Sequence, residues 1–289
     1  MRNRTFNAVL IDAALYHQIK DQRFTGRVHS IFDQAINVEV DGLGLVTVIS
    51  PRKSHGPAFI KACPFPSLKD ALRVRARAVL THKELVFPSP GVRISLDDAR
   101  LWRGKRAITA TAGVEEMIDR KAYMEEALAF PRGGLASMKR GVDSLSKAIV
   151  SMDGARMKDG LDSLIGLGEG LTPEGDDLLL GLLCFIHSVP PERRGEKLEA
   201  FLGCFSEKIG EYRDSTTFTG YSFLRYGSEG RFFEPLLNLC RAALLDGGRG
   251  PAGGRGLEKS VASLLGVGAT SGLNMLRGVV IGLDLLLQG

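Results

Sequence analysis

The run Leu-Leu-Leu-Gly-Leu-Leu-Cys-Phe-Ile-His at 178–187 is apolar all the way round the helix it would form. A helix without a polar face has to be buried, in a protein interior or in a membrane. The fold must therefore close around this segment, and whatever precedes it stands at the mouth of a buried element. What precedes it is Gly166-Leu-Gly-Glu-Gly-Leu-Thr-Pro-Glu-Gly-Asp-Asp177, which combines loop-forming glycines, a helix start and adjacent carboxylates. Thr172 reads as the N-cap and Pro173 as the first helical residue, because the Thr hydroxyl can accept an orphan N–H and Pro gives up a donor the helix start does not use. A helix over 173–188 follows.

Gly166, Gly168 and Gly170 let the backbone turn tightly beside a helix N-terminus, and with Thr172 and Gly175 they offer N–H and hydroxyl donors suited to a phosphate or carboxylate. Asp176 and Asp177 are then the candidate catalytic pair, either orienting a polar substrate or holding Mg²⁺ that bridges the anion. The plainer alternative is that Glu174, Asp176 and Asp177 complement the helix dipole in its first turn. No Gly-Lys-Ser/Thr follows the glycines, so this is not a Walker A loop.

Near the C-terminus the design recurs in Gly266-Val-Gly-Ala-Thr-Ser-Gly-Leu-Asn-Met-Leu-Arg-Gly278, again leading into an apolar run. Setting Gly175 on Gly272 also sets Gly181 on Gly278 and Asp177 on Asn274; with one residue dropped, Thr172 meets Thr270. Small residues at matching places allow two buried helices to approach closely, bringing both loops to one cavity. Thr270, Ser271, Gly272 and Asn274 thus join the candidate anion-binding set. Arg213 precedes the hydroxyl cluster Asp214-Ser-Thr216-Thr217, which reads as a further helix cap, and its planar fork suits a carboxylate or phosphate. An exposed Arg before a capped helix is the alternative.

Gly170-Leu-Thr-Pro-Glu-Gly-Asp-Asp177 resembles the GLTPxGDD block of the family of AllH-type oxamate carbamoyltransferase subunits, once described as a domain of unknown function. Thr270-Ser-Gly-Leu-Asn274 resembles its later Thr-Ser-Gly-x-Asp block, with Asn in place of the Asp. Thr216-Thr217 and the Gly56-Pro57 turn are looser matches, and the resemblance spans most of the chain. It implies a subunit of a multi-protein enzyme, with other carbamoyltransferase subunits as partners. Such complexes exchange a carbamoyl group between oxamate and phosphate when oxalurate from purine or allantoin breakdown is cleaved. The alternative is a non-catalytic anion-binding or assembly subunit whose glycines serve helix packing.

The pattern along the chain changes once. Residues 1–112 favour strands, with alternation at 36–40, a β-branched run at 45–49 and glycine or proline punctuation, implying an antiparallel sheet or small barrel. One helix is expected within it, over 67–82 with Ser67 as its cap. Residues 113–289 read as helices at 115–130, 135–151, 155–165, 173–188, 194–213, 216–226, 232–245, 257–265 and 271–287. Strands grouped before helices give an α+β fold: a β-rich domain and then a helical one carrying both motifs.

A net charge of +5 spread among acids, with Arg73, Arg75 and Arg77 as the densest basic patch, favours a solvated surface over nucleic-acid binding. The widely spaced Cys63, Cys184, Cys204 and Cys240, the absence of a leader, and the charges Arg277 and Asp284 in the last apolar run lead us to expect a soluble cytoplasmic protein without a membrane span. The five histidines have no metal-ligand spacing; His55, in the turn Ser54-His-Gly-Pro57, is the best candidate for an exposed functional imidazole. The glycine-rich stretch 246–256 reads as a flexible connector, or as a lid carrying Arg249 and Arg255.

Overall fold

The computed structural model describes residues 4–104, 112–128, 136–245 and 251–288. The chain divides into two compact units, Met1–Gly104 and Lys105–Gly289, and the fold is α+β as the patterning implies.

The first unit contains β1 (Arg4–Asp12), α1 (Ala13–Gln18), β2 (Phe24–Ile31), β3 (Ala35–Val40), β4 (Gly44–Ile49), β5 (Phe59–Cys63), α2 (Phe65–Ala71), β6 (Arg77–Leu80), β7 (Glu84–Phe87), β8 (Val92–Ser95) and β9 (Arg100–Trp102). The strands run in the order β5-β4-β3-β2-β6-β7-β8-β1-β9, and an additional β5–β1 pairing closes eight of them into a barrel. The barrel is mixed rather than antiparallel, since β1–β8, β1–β9 and β4–β5 are parallel. Closure leaves fewer edges exposed, and Phe6, Val28, Ile36, Val38, Leu85 and Ile94 are buried.

The helix expected over 67–82 is two elements. Helix α2 stops at Ala71, Arg75 takes a left-handed φ of 67°, and β6 then pairs with β2 and β7. The alternating exposed and buried residues of Arg77-Ala-Val-Leu80 have strand periodicity, which overrode the looser helical spacing of the leucines. Arg73, Arg75 and Arg77 are exposed.

His55 is not an exposed imidazole. It is 1% exposed, and its ring stacks on Trp102 with centroids 4.5 Å apart. The turn after it folds inward, so that Ala58 N–H donates to Asp12 Oδ2 at 2.8 Å. Loss of hydration lowers the His55 pKa to about 4; the nearby Lys61 charge acts in the same sense, while the Gly56 backbone and Asp12 oppose the shift.

The second unit comprises α3 (Val114–Leu128), α4 (Ala136–Val150), α5 (Gly154–Leu164), α6 (Glu174–Ser188), α7 (Pro191–Lys208) with a 3₁₀ turn (Ile209–Tyr212), α8 (Phe218–Ser228), α9 (Glu234–Leu244), α10 (Pro251–Leu265) and α11 (Ser271–Leu287). Within the glycine-rich stretch, 246–250, including Arg249, lies outside the described residues; from Pro251 the backbone is already helical rather than a connector. Among the described residues no helix is long and apolar enough to cross a membrane.

Helices α6 and α11 form the centre of this unit, each buried along most of its length. They run side by side in the same direction, because contacts advance together along both, from Gly181 with Met275 to Phe185 with Gly282. Their crossing is reciprocal: a Cβ added at Gly181 would fall 2.0 Å from the Met275 carbonyl oxygen, and one at Gly278 would fall 2.0 Å from that of Leu178. The register that equates Gly181 with Gly278 equates Leu178 with Met275, so the two contacts are one contact repeated. The repeat extends outward. Helix α5 ends against α6 as α10 ends against α11, α4 pairs with α5 as α9 pairs with α10, and α8 packs on α6 as α3 packs on α11. Burial of each large apolar side chain contributes roughly 1.5–3 kcal/mol, and only glycine at the crossing lets the two backbones come close enough to seal that core.

Candidate functional site

Each central helix begins beside a tight loop built in the same way. Gly175 N–H donates to Leu167 O and Gly272 N–H to Val267 O, each at 2.9 Å. A Cβ at Gly175 would fall 1.9 Å from Leu164 O, and one at Gly272 1.9 Å from Leu264 O. These two glycines therefore seat the helix starts on the ends of α5 and α10, and their N–H groups are committed within the protein. Gly166, Gly168 and Gly170 have φ of 76°, 111° and 92°, left-handed values that only glycine adopts without strain. Gly168 lies against Glu174, whose Oε2 accepts from Glu169 N–H at 3.0 Å. Gly170 has open space where a side chain would stand.

Thr172 is not the helix cap; Pro173 occupies that position, with φ −53° and ψ 148°, and the helix starts at Glu174. The Thr172 hydroxyl is engaged elsewhere. It donates to Asp177 Oδ2 at 3.2 Å and lies 3.2 Å from the Ser271 hydroxyl at the start of α11. Thr270 holds the cap position of α11 without a side-chain hydrogen bond, its carbonyl accepting from Asn274 N–H. The loops before α6 and α11 thus meet through Thr172, Asp177 and Ser271.

A third helix start completes the cluster. Thr217 caps α8 by accepting from Gly220 N–H at 2.9 Å, and its hydroxyl also donates to the Leu171 carbonyl. Thr216 donates to Asp176 Oδ2, while Gly166 N–H donates to Asp176 Oδ1 at 2.8 Å. Gly220 is required here, since a Cβ would lie 2.2 Å from Asp176 Oδ2.

Asp176 and Asp177 are 3% and 2% exposed. Burial raises the pKa of Asp176, opposed by the Gly166 N–H and the Thr216 hydroxyl. Burial raises Asp177 further, to about 7. The Ser271 and Thr172 hydroxyls favour its charged form, and the neighbouring Asp176 and Glu174 charges add to the rise. An acid whose affinity for a proton matches neutral pH can both donate and accept one.

Of the remaining sequence candidates, Arg213 is exposed on the turn before Thr216 and has no hydrogen bond or ion pair among the described residues. Asn274 is buried, and its Oδ1 accepts from Arg277 Nη1 at 2.7 Å. The motifs did not single out Arg277, Gly166 as a donor to Asp176, or Gly220. For Arg277 there was a signal, as it is the one cation in the apolar run 273–287. Partial burial lowers its pKa.

The arrangement offers two buried carboxylates, four hydroxyls and glycine-lined backbone at three converging helix starts. Known families match both units of the chain. A family model described as the N-terminal domain of the AllH family matches residues 7–101, the barrel unit, and one described as oxamate carbamoyltransferase subunit AllH matches 164–283, from the end of α5 through most of α11. No solved structure matches the chain. With both family models aligned on its two units, the chain belongs to the AllH family, described as a subunit of oxamate carbamoyltransferase.

Proposed function

We propose that this chain carries part of the carbamoyl-transfer site of an oxamate carbamoyltransferase complex, acting with partner subunits on oxalurate and phosphate. The observation that carries the reading is the hydroxyl-bridged contact between the two paired loops, in which Asp177 of one motif is held by Thr172 and Ser271 of both. Helix packing alone asks for the glycines. It does not ask for a buried carboxylate with a proton affinity near neutrality at the junction.

Cleavage of oxalurate to oxamate and carbamoyl phosphate needs a proton delivered to the departing amide nitrogen, and Asp177 is built to supply it. Asp176, whose oxygens accept from Gly166 N–H and the Thr216 hydroxyl, fixes the loop that receives the substrate. Gly170 and Thr270 would face the anion, Thr217 holds the Leu171 carbonyl of the loop, Arg213 stands exposed on the turn before Thr216, and Asn274 holds Arg277 one turn further along α11. Mg²⁺ keeps several waters, and this pair does not fit it: Asp176 and Asp177 are 3% and 2% exposed, both Asp176 oxygens accept from Gly166 and Thr216, and Asp177 has to carry the proton. The setting this reading implies is the catabolism of purines or allantoin in the cytoplasm.

The test is the formation of carbamoyl phosphate from oxalurate by the chain purified with its partners. Turnover that depends on added phosphate supports the reading. A complete complex that binds neither phosphate nor oxamate and yields no product refutes it, and leaves the assembly role that the reciprocal glycines at 181 and 278 would serve.

A further inference from the structure

A hydroxyl nucleophile needs a base within reach, a group that orients it, and donors where negative charge develops. Ser271 has all three. The base, the Asp177 carboxylate, is reached through one intervening hydroxyl, that of Thr172. Thr172 Oγ1 lies 3.2 Å from Ser271 Oγ and 3.2 Å from Asp177 Oδ2, tying nucleophile and base together. Ser271 is also the first residue of α11, at the positive end of a long buried helix. Gly272 and Asn274 spend their N–H groups on Val267 O and Thr270 O. The cap residue Thr270 makes no side-chain hydrogen bond to the helix start, and among the described residues the N–H groups of Ser271 and Leu273 have no acceptor, which leaves them as first-turn donors for a developing oxyanion.

The preceding loop keeps this hydroxyl accessible. Gly268 has φ 62°, and a Cβ there would stand 3.0 Å from Ser271 Oγ. Thr172 is the poorer nucleophile of the two, because it commits its proton to Asp177 and precedes the α6 cap rather than standing in the first turn of a helix.

Resting on the carbamoyl-transfer reading, we propose that Ser271 is the catalytic nucleophile and that the carbamoyl group passes through a covalent carbamoyl-serine. In the first half, Ser271 Oγ bonds to the carbamoyl carbon of oxalurate and its proton passes to Thr172, whose own proton passes to Asp177. The carbon–nitrogen bond to oxamate then breaks, and Asp177 returns that proton to the departing nitrogen. In the second half, an oxygen of hydrogen phosphate attacks the same carbon and its proton passes to Asp177. The carbon–Oγ bond breaks, carbamoyl phosphate leaves, and Asp177 reprotonates Ser271 through Thr172. Charge and atoms balance with no further reactant.

Such a route has a signature that direct transfer lacks: with phosphate omitted, the complex exchanges isotopically labelled oxamate into oxalurate. The purified complex, given oxalurate and labelled oxamate without phosphate, is expected to show exchange, and quenched samples to carry one carbamoyl group on the peptide containing Ser271. Ser271→Ala should lose both exchange and turnover by at least about a thousandfold while still assembling, and Ser271→Thr, which keeps a hydroxyl, should retain measurable exchange. A complex that turns over with phosphate but shows no exchange without it, or Ser271→Ala at wild-type rate, overturns the nucleophile and leaves the reading beneath it standing. No phosphate-dependent turnover in the wild-type complex overturns both.

Discussion

Ser271 at the start of α11 and Thr172 in the loop before α6 stand hydroxyl to hydroxyl at 3.2 Å, so the two halves of the internal repeat meet at a polar contact above an apolar crossing. Asp177 sits beneath that contact with too little water to stabilise its charge. Its carboxyl is pushed up to about 7 in the folded chain, chiefly by burial. A carboxyl raised on folding binds its proton more tightly in the native state, so stability is full below the unfolded value near 4 and is lost as pH rises through about 7. The loss amounts to as much as about 4 kcal/mol. Asp177→Asn keeps the shape and removes the charge. Its unfolding midpoint should exceed that of the wild type at pH 8 and change less between pH 5 and 8, as followed by thermal unfolding monitored by circular dichroism.

The crossing itself is set by glycine. Gly181→Ala and Gly278→Ala each place a methyl about 2 Å from a backbone carbonyl, which no side-chain rotation relieves. Each should cost about 3 kcal/mol or more. Because the two contacts are equivalent, the costs should be similar, and the double variant should lose less than their sum if separating the helices once relieves both clashes. Urea titration of the three variants measures this.

Thr216 supports the second carboxylate. Thr216→Val removes a hydrogen-bond donor from buried Asp176 and should cost roughly 1.5–3 kcal/mol for the charged carboxylate. The deficit should shrink on acidification as Asp176 becomes protonated. Thr216→Ser, which keeps the donor, should be close to wild type in the same denaturation series.

Much of this was legible in the sequence because the signals were local. The switch from alternating to helical spacing separated barrel from bundle, and α11 begins and ends where its pattern does, at Ser271 and Leu287. The pairing of Gly175 and Gly181 with Gly272 and Gly278 reappears as equivalent backbone contacts, whereas Asp177 and Asn274 take different partners, Thr172 and Arg277. Where the sequence misled, a distant partner decided. Thr172 follows the local rule for a cap, yet its hydroxyl is drawn to Asp177 and Ser271, the latter 99 positions on. The leucines after Ser67 mimic a helix until β2 and β7 claim residues 77–80. His55 reads as a surface turn because nothing nearby in sequence announces the stacking of Trp102.

That stacking yields a prediction for the barrel. The His55 pKa is lowered to about 4, so the folded barrel holds a neutral imidazole that the unfolded chain protonates near 6.5. A depressed histidine favours folding above the unfolded value, and the stability it protects is lost as pH falls from about 6.5 toward 4. Trp102 is the only tryptophan of the chain, so its fluorescence reports the ring it stacks on. Emission from the folded protein should stay level down to about pH 5 and then change with a midpoint near 4, and His55→Phe should abolish that step.

The account turns on the carboxylate at the junction of the two motifs. The most direct measurement is kcat for phosphate-dependent oxalurate cleavage by the purified complex, wild type against Asp177→Asn, with subunit stoichiometry shown to be unchanged. Loss of a general acid and base is worth at least about a hundredfold. A drop of that size or more in kcat, in a complex at least as stable as the wild type, is the predicted result. Wild-type turnover in Asp177→Asn would contradict the account and return the acidic pair to the role of a buried helix start.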